Sequence, residues 1–153
     1  MTSQKVAELK EIFQLSRAAP SQAAEIVAIN QQLYLPIDDF QWHTAAWADT
    51  EAANGHYFVV QNNKRIVGAI CVHALSAEKT GVIEAIAVRS DLHGRGIGKS
   101  MIDSAENKFR TEGLEHSIVA SFREYGLRDF YERCGFTCAP QSGVYRGHSY
   151  YRF

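Results

Sequence analysis

Apolar positions alternate in some stretches of the chain and recur every three to four residues in others, and that difference assigns the elements. Val6, Leu9 and Ile12 lie at helical spacing among lysines and glutamates, so residues 1–11 read as a short surface helix or a frayed tail. Ile12–Arg17 alternates as a first strand would. Pro20 punctuates, Ser21 is a good N-cap, and Ile26, Ile29, Asn30 and Leu33 share one face of a helix running to Leu33. Pro36 breaks that helix. Asp38-Asp39 is placed to cap a second one over Trp42–Ala53, which Asn54-Gly55 ends.

The middle of the chain is β-rich. His56–Gln61 and Arg65–Ala74 flank Asn62-Asn63-Lys64, residues that tolerate the positive φ of a tight hairpin. Thr80–Val88 is the third member of this meander. Ile97, Met101, Ile102, Ala105 and Phe109 then form the stripe of a helix that stops near Gly113. Ser117–Ser121 follows a helix, so it is expected to run parallel to Thr80–Val88. Leu127, Phe130, Tyr131 and Cys134 predict a helix over Arg123–Cys134 with Gly135 as its stop, and Phe136–Ala139 and Val144–Phe153 close the chain as strands. This order predicts a mixed α/β (α+β) fold: one sheet with helices on both faces, in a single domain over residues 1–153.

Composition narrows the function. With 46% apolar and 22% charged residues, the 153-residue chain can bury a real core. A net charge of −1 without a long basic run gives no electrostatic reason to bind nucleic acid or an anionic membrane. Cys71, Cys134 and Cys138 are odd in number and lack the spacing of a metal knuckle or redox pair, so they read as reduced thiols. No signal-peptide pattern and no apolar run of 18 residues is present; the expectation is a cytoplasmic protein. Six scattered histidines imply no metal site.

The stretch that carries chemistry is Ile83–Ser100, IEAIAVRSDLHGRGIGKS. An apolar strand bearing one glutamate leads into Gly94, Gly96 and Gly98 at alternate positions and then into a helix. Such a turn is an anion cradle, because glycine brings backbone N–H groups close to a phosphate and the helix's first N–H groups point the same way. The string HGRGIGKS misses the phosphate-loop ATPase pattern because its first glycine would fall at His93. It also misses the dinucleotide pattern, being G-x-G-x-G. A turn of purely structural use would carry the entropic cost of three glycines with no evident return.

The segment resembles motif A of the GNAT superfamily of N-acetyltransferases, Gln/Arg-x-x-Gly-x-Gly/Ala after a strand ending in Ala-Val. Ala87-Val88 ends the strand here, and His93-Gly94-Arg95-Gly96-Ile97-Gly98 covers the motif, with His93 where the family has Gln or Arg. Phe130-Tyr131-Glu132-Arg133-Cys134-Gly135-Phe136 is similar to the family's F-Y-E-x-x-G-F, although Glu124 replaces an Asn common seven residues before the Tyr.

The resemblance implies a mostly antiparallel central sheet and direct acetyl transfer from acetyl-CoA to a primary amine of a small molecule or peptide, without a covalent enzyme intermediate. It implies main-chain pairing of the cofactor's pantetheine arm with Ile86, Ala87 and Val88, as an added strand would pair. The pyrophosphate would rest on Arg95, Gly96, Ile97, Gly98 and Lys99 amides beside His93 and Gly94, with Ser100 in the helix's first turn. Lys99 is equally read as solvated. Glu84 is the general-base candidate and Tyr131 the acid for the leaving thiolate; a strand glutamate facing solvent and a core tyrosine are the alternatives. Tyr34, Asp38, Asp39 and Trp42, with Phe40, His43 and Trp47, fall where the family's first helices wall the acceptor pocket, and carboxylates beside aromatics suit a cationic amine. Trp42 and Trp47 also fit as packing residues, and Asp38-Asp39 as a cap. Many members of the family are dimers, so a homodimer is compatible. An alternative to an enzyme is a catalytically inactive acyl-CoA-binding module of the same fold.

Overall fold

The structure is a computed structural model that describes residues 14–38, 40–140 and 143–153. The helix or tail over residues 1–11 and the start of the Ile12–Arg17 strand lie outside them. Seven strands in the order β1-β2-β3-β4-β5-β7-β6 form a mostly antiparallel sheet, and the chain divides into two compact units.

The first unit holds Met1–Cys71 and Ala85–Ser104. A short β1 (Ser16–Arg17) pairs antiparallel with β2 (Tyr57–Asn62), which pairs antiparallel with β3 (Arg65–Leu75). Asn63 and Lys64 turn the hairpin with φ of 51° and 65°, the left-handed pair that Asn-rich turns favour. Helix α1 (Ala23–Leu33) follows a single 3₁₀ turn at Pro20–Gln22. Helix α2 spans Ala45–Ala53, not Trp42–Ala53 as expected. Gln41–His43 is a separate 3₁₀ turn, and the cap is Thr44, whose Oγ1 accepts from Trp47 N–H at 3.4 Å. The Asp38-Asp39 cap is therefore corrected: Thr44 does that work.

Alternation along β3 explains why helices cover both faces of this unit's sheet. Ala69 and Cys71 join Ile26 and Val27 of α1, Ala48 and Ala52 of α2, and Ala85 and Ala87 in one core cluster. On the other face, a Cβ added at Gly68 would come within 3.1 Å of Met101 and 3.3 Å of Ile97 on helix α3 (Ile97–Thr111), so the glycine lets that helix approach closely. Asn30 is buried in the α1 core and donates from Nδ2 to Trp42 C=O at 2.8 Å and Tyr57 Oη at 3.3 Å. Those bonds satisfy its NH2 group, while its Oδ1 is buried without a hydrogen-bond partner among the described residues.

The second unit holds Val72–Glu84 and Ala105–Phe153. Strand β4 (Thr80–Val88) runs parallel to β5 (His116–Phe122), in register from Thr80↔His116 to Ile83↔Val119. The helical crossover between them requires this direction. Strands β6 (Gly143–Tyr145) and β7 (His148–Arg152) form a hairpin that joins the sheet through β5.

Three expectations here are corrected. Val144–Phe153 is not one strand, because Arg146 and Gly147 turn the chain with φ of 47° and 83°. Arg123–Cys134 is not one helix; Gly126 at φ 64° separates a 3₁₀ turn at Arg123–Tyr125 from α4 (Arg128–Arg133). Phe136–Ala139 forms no strand, and its link to β7 is Ala139 N–H to Arg152 C=O at 2.7 Å. Pro140 has no N–H to extend that ladder. No helix among the described residues is long and apolar enough to cross a membrane.

Phe109 of α3 lies flat on Gly81 of β4, where an added Cβ would sit 2.3 Å from the ring. Gly81→Ala is therefore expected to lower unfolding free energy by about 1–3 kcal/mol through overpacking. Urea denaturation of the variant checks this; an unchanged midpoint would contradict the packing.

Candidate functional site

Burial alternates along β4. Ile83, Ala85 and Ala87 are buried, while Glu84, Ile86 and Val88 are half-buried on the opposite face. Glu84 thus shares a strand face with Ile86 and Val88, two of the three residues expected to pair with a cofactor, while Ala87 lies on the other face. At the end of the strand Arg89 N–H donates to Val67 C=O of β3 at 2.9 Å. Main-chain groups alternate sides residue by residue, so those of Ile86 and Val88 turn to the edge facing away from β3.

Side chains meet that edge. The Tyr34 hydroxyl donates to Ile86 C=O at 2.8 Å and accepts from Ile86 N–H at 3.1 Å. His93 donates from Nε2 to Val88 C=O at 2.8 Å, which places the ring proton on that nitrogen. Tyr34 was a candidate for acceptor binding, and its tie to a strand 52 residues away has no signature in local spacing.

After β4 come a 3₁₀ turn at Ser90–Leu92 and the glycine loop. Gly94 and Gly96 sit at φ 80° and 79°, and among the described residues other than their chain neighbours no atom lies within 4 Å of a Cβ added at either. Neither glycine is there to admit a neighbouring side chain. Among the described residues, the N–H groups of Gly94, Arg95, Gly96, Ile97 and Gly98 donate to no backbone acceptor. Ser100 N–H donates to Gly96 C=O at 3.0 Å and so opens α3, whose buried Ile97 anchors the helix start. Arg95 is exposed, with no ion-pair partner among the described residues. Lys99 is paired with Asp103 at 2.8 Å, one turn along the helix. Left-handed glycines, amides without a backbone acceptor and a helix N-terminus are the donor set that binding of an anion such as a diphosphate calls for.

The candidate acceptor residues of the first unit form an aromatic run. The Tyr34 ring lies 6.0 Å from both Phe40 and His43; Phe40 meets Trp42 edge-on at 4.4 Å. Trp42 and Trp47 cross at 6.2 Å and pack on the core cluster, which supports their packing role. Asp38 is exposed, and Asp39 lies outside the described residues. Burial lowers the His43 pKa below its ordinary 6.5, opposed by a hydrogen bond with the Asn30 backbone. The imidazole is therefore neutral at pH 7, and its Nε2 is buried without a hydrogen-bond partner among the described residues.

In the second unit Tyr131 is buried among Phe130, Phe136 and Phe153, with ring centroids 5.1, 5.9 and 5.0 Å away. Burial raises its pKa well above the usual phenol range, so the hydroxyl keeps its proton. Phe122 is ringed by Tyr125, Tyr145, His148 and Tyr150 at 5.5 to 6.3 Å, and Arg123 lies 4.5 Å over Tyr151. Glu124, the departure from the motif, is paired with His148 at 3.0 Å.

The sequence profile of the acetyltransferase (GNAT) family matches residues 12–136. Among solved structures, Ard1 from Thermoplasma volcanium superposes with a TM-score of 0.76 at 15% identity, covering 91% of this chain and 93% of its own. The PaiA N-acetyltransferase of Thermoplasma acidophilum, solved in complex with coenzyme A, gives 0.73 at 10% identity, with coverages of 91% and 96%. The ribosomal-protein-alanine N-acetyltransferase of Brucella melitensis gives 0.71 at 14% identity, with coverages of 91% and 96%. At these identities the likeness is one of fold.

A histidine whose folded pKa is depressed takes up protons more readily when unfolded, so its contribution to stability is complete above pH 6.5 and declines as pH falls below it. Between about pH 7.5 and about pH 5 the urea midpoint of the wild type should therefore fall more than that of His43→Gln. Parallel pH dependences in the two proteins would contradict a buried neutral imidazole.

Proposed function

Because the chain belongs to the acetyltransferase (GNAT) family, we propose that it transfers the acetyl group of acetyl-CoA to a primary amine of a small molecule or peptide. The observation that carries this reading is the glycine loop, whose Gly94–Gly98 N–H groups are not committed to the chain's own backbone. Each hydrogen bond to a charged group contributes roughly 1.5–3 kcal/mol, against about 0.3–1 for the helix dipole. Amides, more than the dipole or the Lys99 side chain, are then what hold a pyrophosphate.

The residues fit the cofactor on two counts. No described side chain or backbone beyond the adjoining residues comes within 4 Å of a Cβ added at Gly94 or Gly96, and the Ile86 and Val88 main chain faces an edge where an amide-bearing arm can pair. His93, Arg95, Lys99 and Ser100 border the loop, and Ala87 holds the intervening strand position. Acetyl-CoA, when bound, supplies an acetyl group activated as a thioester.

Protons are the rest of the problem. A lysine-like amine with a pKa near 10.4 is uncharged in only about one molecule in two thousand at pH 7. Glu84, half-buried on the same face of β4 as Ile86 and Val88, is assigned the task of collecting the ammonium proton, directly or through water. Tyr131 is assigned as hydrogen-bond donor to the sulfur. Its burial keeps the phenol protonated, so it stabilises the thiolate by donation more readily than by full proton transfer. Tyr34, Asp38, Asp39 and Trp42 remain the proposed acceptor side.

Release of free thiol from acetyl-CoA, measured across a panel of small amines and N-terminal peptides, tests this function. Glu84→Gln is expected to lower kcat by about 10²- to 10⁴-fold while coenzyme A affinity stays within about twofold. If neither Glu84→Gln nor Tyr131→Phe slows turnover, the two assignments are wrong. Coenzyme A binding with no thiol release for any amine would instead mark a non-catalytic acyl-CoA-binding module.

A further inference from the structure

The edge of β4 turned away from β3 is already hydrogen-bonded at Ile86 and Val88, in each case by a side chain. One atom, Tyr34 Oη, serves both the C=O and the N–H of Ile86 at 2.8 and 3.1 Å. Two residues on, His93 Nε2 serves the C=O of Val88 at 2.8 Å. Positions two apart on one edge are where a neighbouring extended chain makes its bonds. A phenol hydroxyl is donor and acceptor at once, so it can stand in for an amide at Ile86; a phenylalanine could not.

We infer that Tyr34 and His93 act as a surrogate strand, satisfying the Ile86 and Val88 main chain until the amide-bearing arm of acetyl-CoA displaces them. This rests on the acetyltransferase reading above. Unpaired main-chain groups along a strand edge cost free energy when water is excluded and template unwanted pairing when it is not. Both side chains are mounted so that they can leave without unfolding their elements. Tyr34 stands just past α1 in extended backbone, φ −91° and ψ 151°, while its N–H keeps the helix end closed on Asn30 C=O. His93 is exposed and comes after the 3₁₀ turn, immediately before Gly94. A rotamer change frees the edge in each case.

The exchange also selects the ligand. A donor that carries amides restores the Ile86 and Val88 bonds after the side chains leave. A simple acetyl thioester or acetyl phosphate does not, and leaves the edge to Tyr34. Coenzyme A binding is thereby weakened by the bonds it must replace, but confined to ligands that can replace them.

Calorimetric titration of coenzyme A into wild type and Tyr34→Phe tests this, with adenosine 3′-phosphate 5′-diphosphate, which lacks the pantetheine arm, as the control ligand. Tyr34→Phe is expected to bind coenzyme A about 3- to 10-fold more tightly, the worth of one net hydrogen bond, and to bind the nucleotide as the wild type does. Equal or weaker coenzyme A binding by the variant would overturn the inference. Wild type that binds coenzyme A not at all would remove the acetyltransferase reading and this inference with it. In case the variant folds poorly, wild type labelled at tyrosine Cζ gives a second readout. The Tyr34 resonance should shift on saturation with coenzyme A and stay in place with the nucleotide; a resonance unmoved by coenzyme A overturns the surrogate strand.

Discussion

Two backbone residues at φ near +80°, Gly94 and Gly96, are the constraint on which the functional account depends. With the chain held there, the N–H groups from Gly94 onward fall outside any helical or strand ladder until Ser100 N–H opens α3 on Gly96 C=O. A residue with a Cβ would lose about 1–2 kcal/mol at such a position, and among the described residues neither glycine has a neighbour that forbids the Cβ on steric grounds. The conformation itself is what the sequence preserves room for. Its consequence is a run of donors from Gly94 to Gly98 with no backbone acceptor among the described residues, ending at a helix N-terminus. Such a run is complementary to a bound anion and to little else.

The elements on either side hold that turn in place. Arg89 N–H ties the end of β4 to Val67 of β3, and Ile97 buries the first turn of α3. Gly68 lets Ile97 and Met101 close onto β3, so the loop's two anchors are locked within one core. The His93 ring crosses from the loop back to Val88, the last residue of β4. That bond ties the loop to the end of the strand within the first unit. The proton-handling candidates differ in kind: Glu84 lies on the face of the same strand, and Tyr131 is a buried phenol of the second unit.

Much of this was legible in the residues themselves. Thr80–Val88 stands as the third strand of the meander with the bounds expected, the Asn63-Lys64 hairpin takes the positive φ its composition suggested, and Ser117–Ser121 lies inside a strand parallel to β4. These are local signals, or follow from the handedness of a crossover. What failed was decided by single backbone residues with weak signatures. Gly126 cuts the predicted helix off just ahead of its apolar stripe, which begins at Leu127, and Arg146-Gly147 makes a hairpin that lacks the usual Asn-Gly. Thr44 outcompetes Asp38 because the chain first makes a separate turn at Gln41–His43. Tyr34 on Ile86 was invisible in a different way. Its partner is main chain and far along the sequence, so no periodicity or motif marks it.

Residue-resolved hydrogen exchange of the Gly94–Gly98 amides, with and without saturating coenzyme A, addresses the central claim most directly. The account predicts fast exchange in the unliganded protein and marked slowing of these amides when coenzyme A is bound. Amides that are protected before any ligand is added, or that exchange as fast with coenzyme A as without it, would contradict the account.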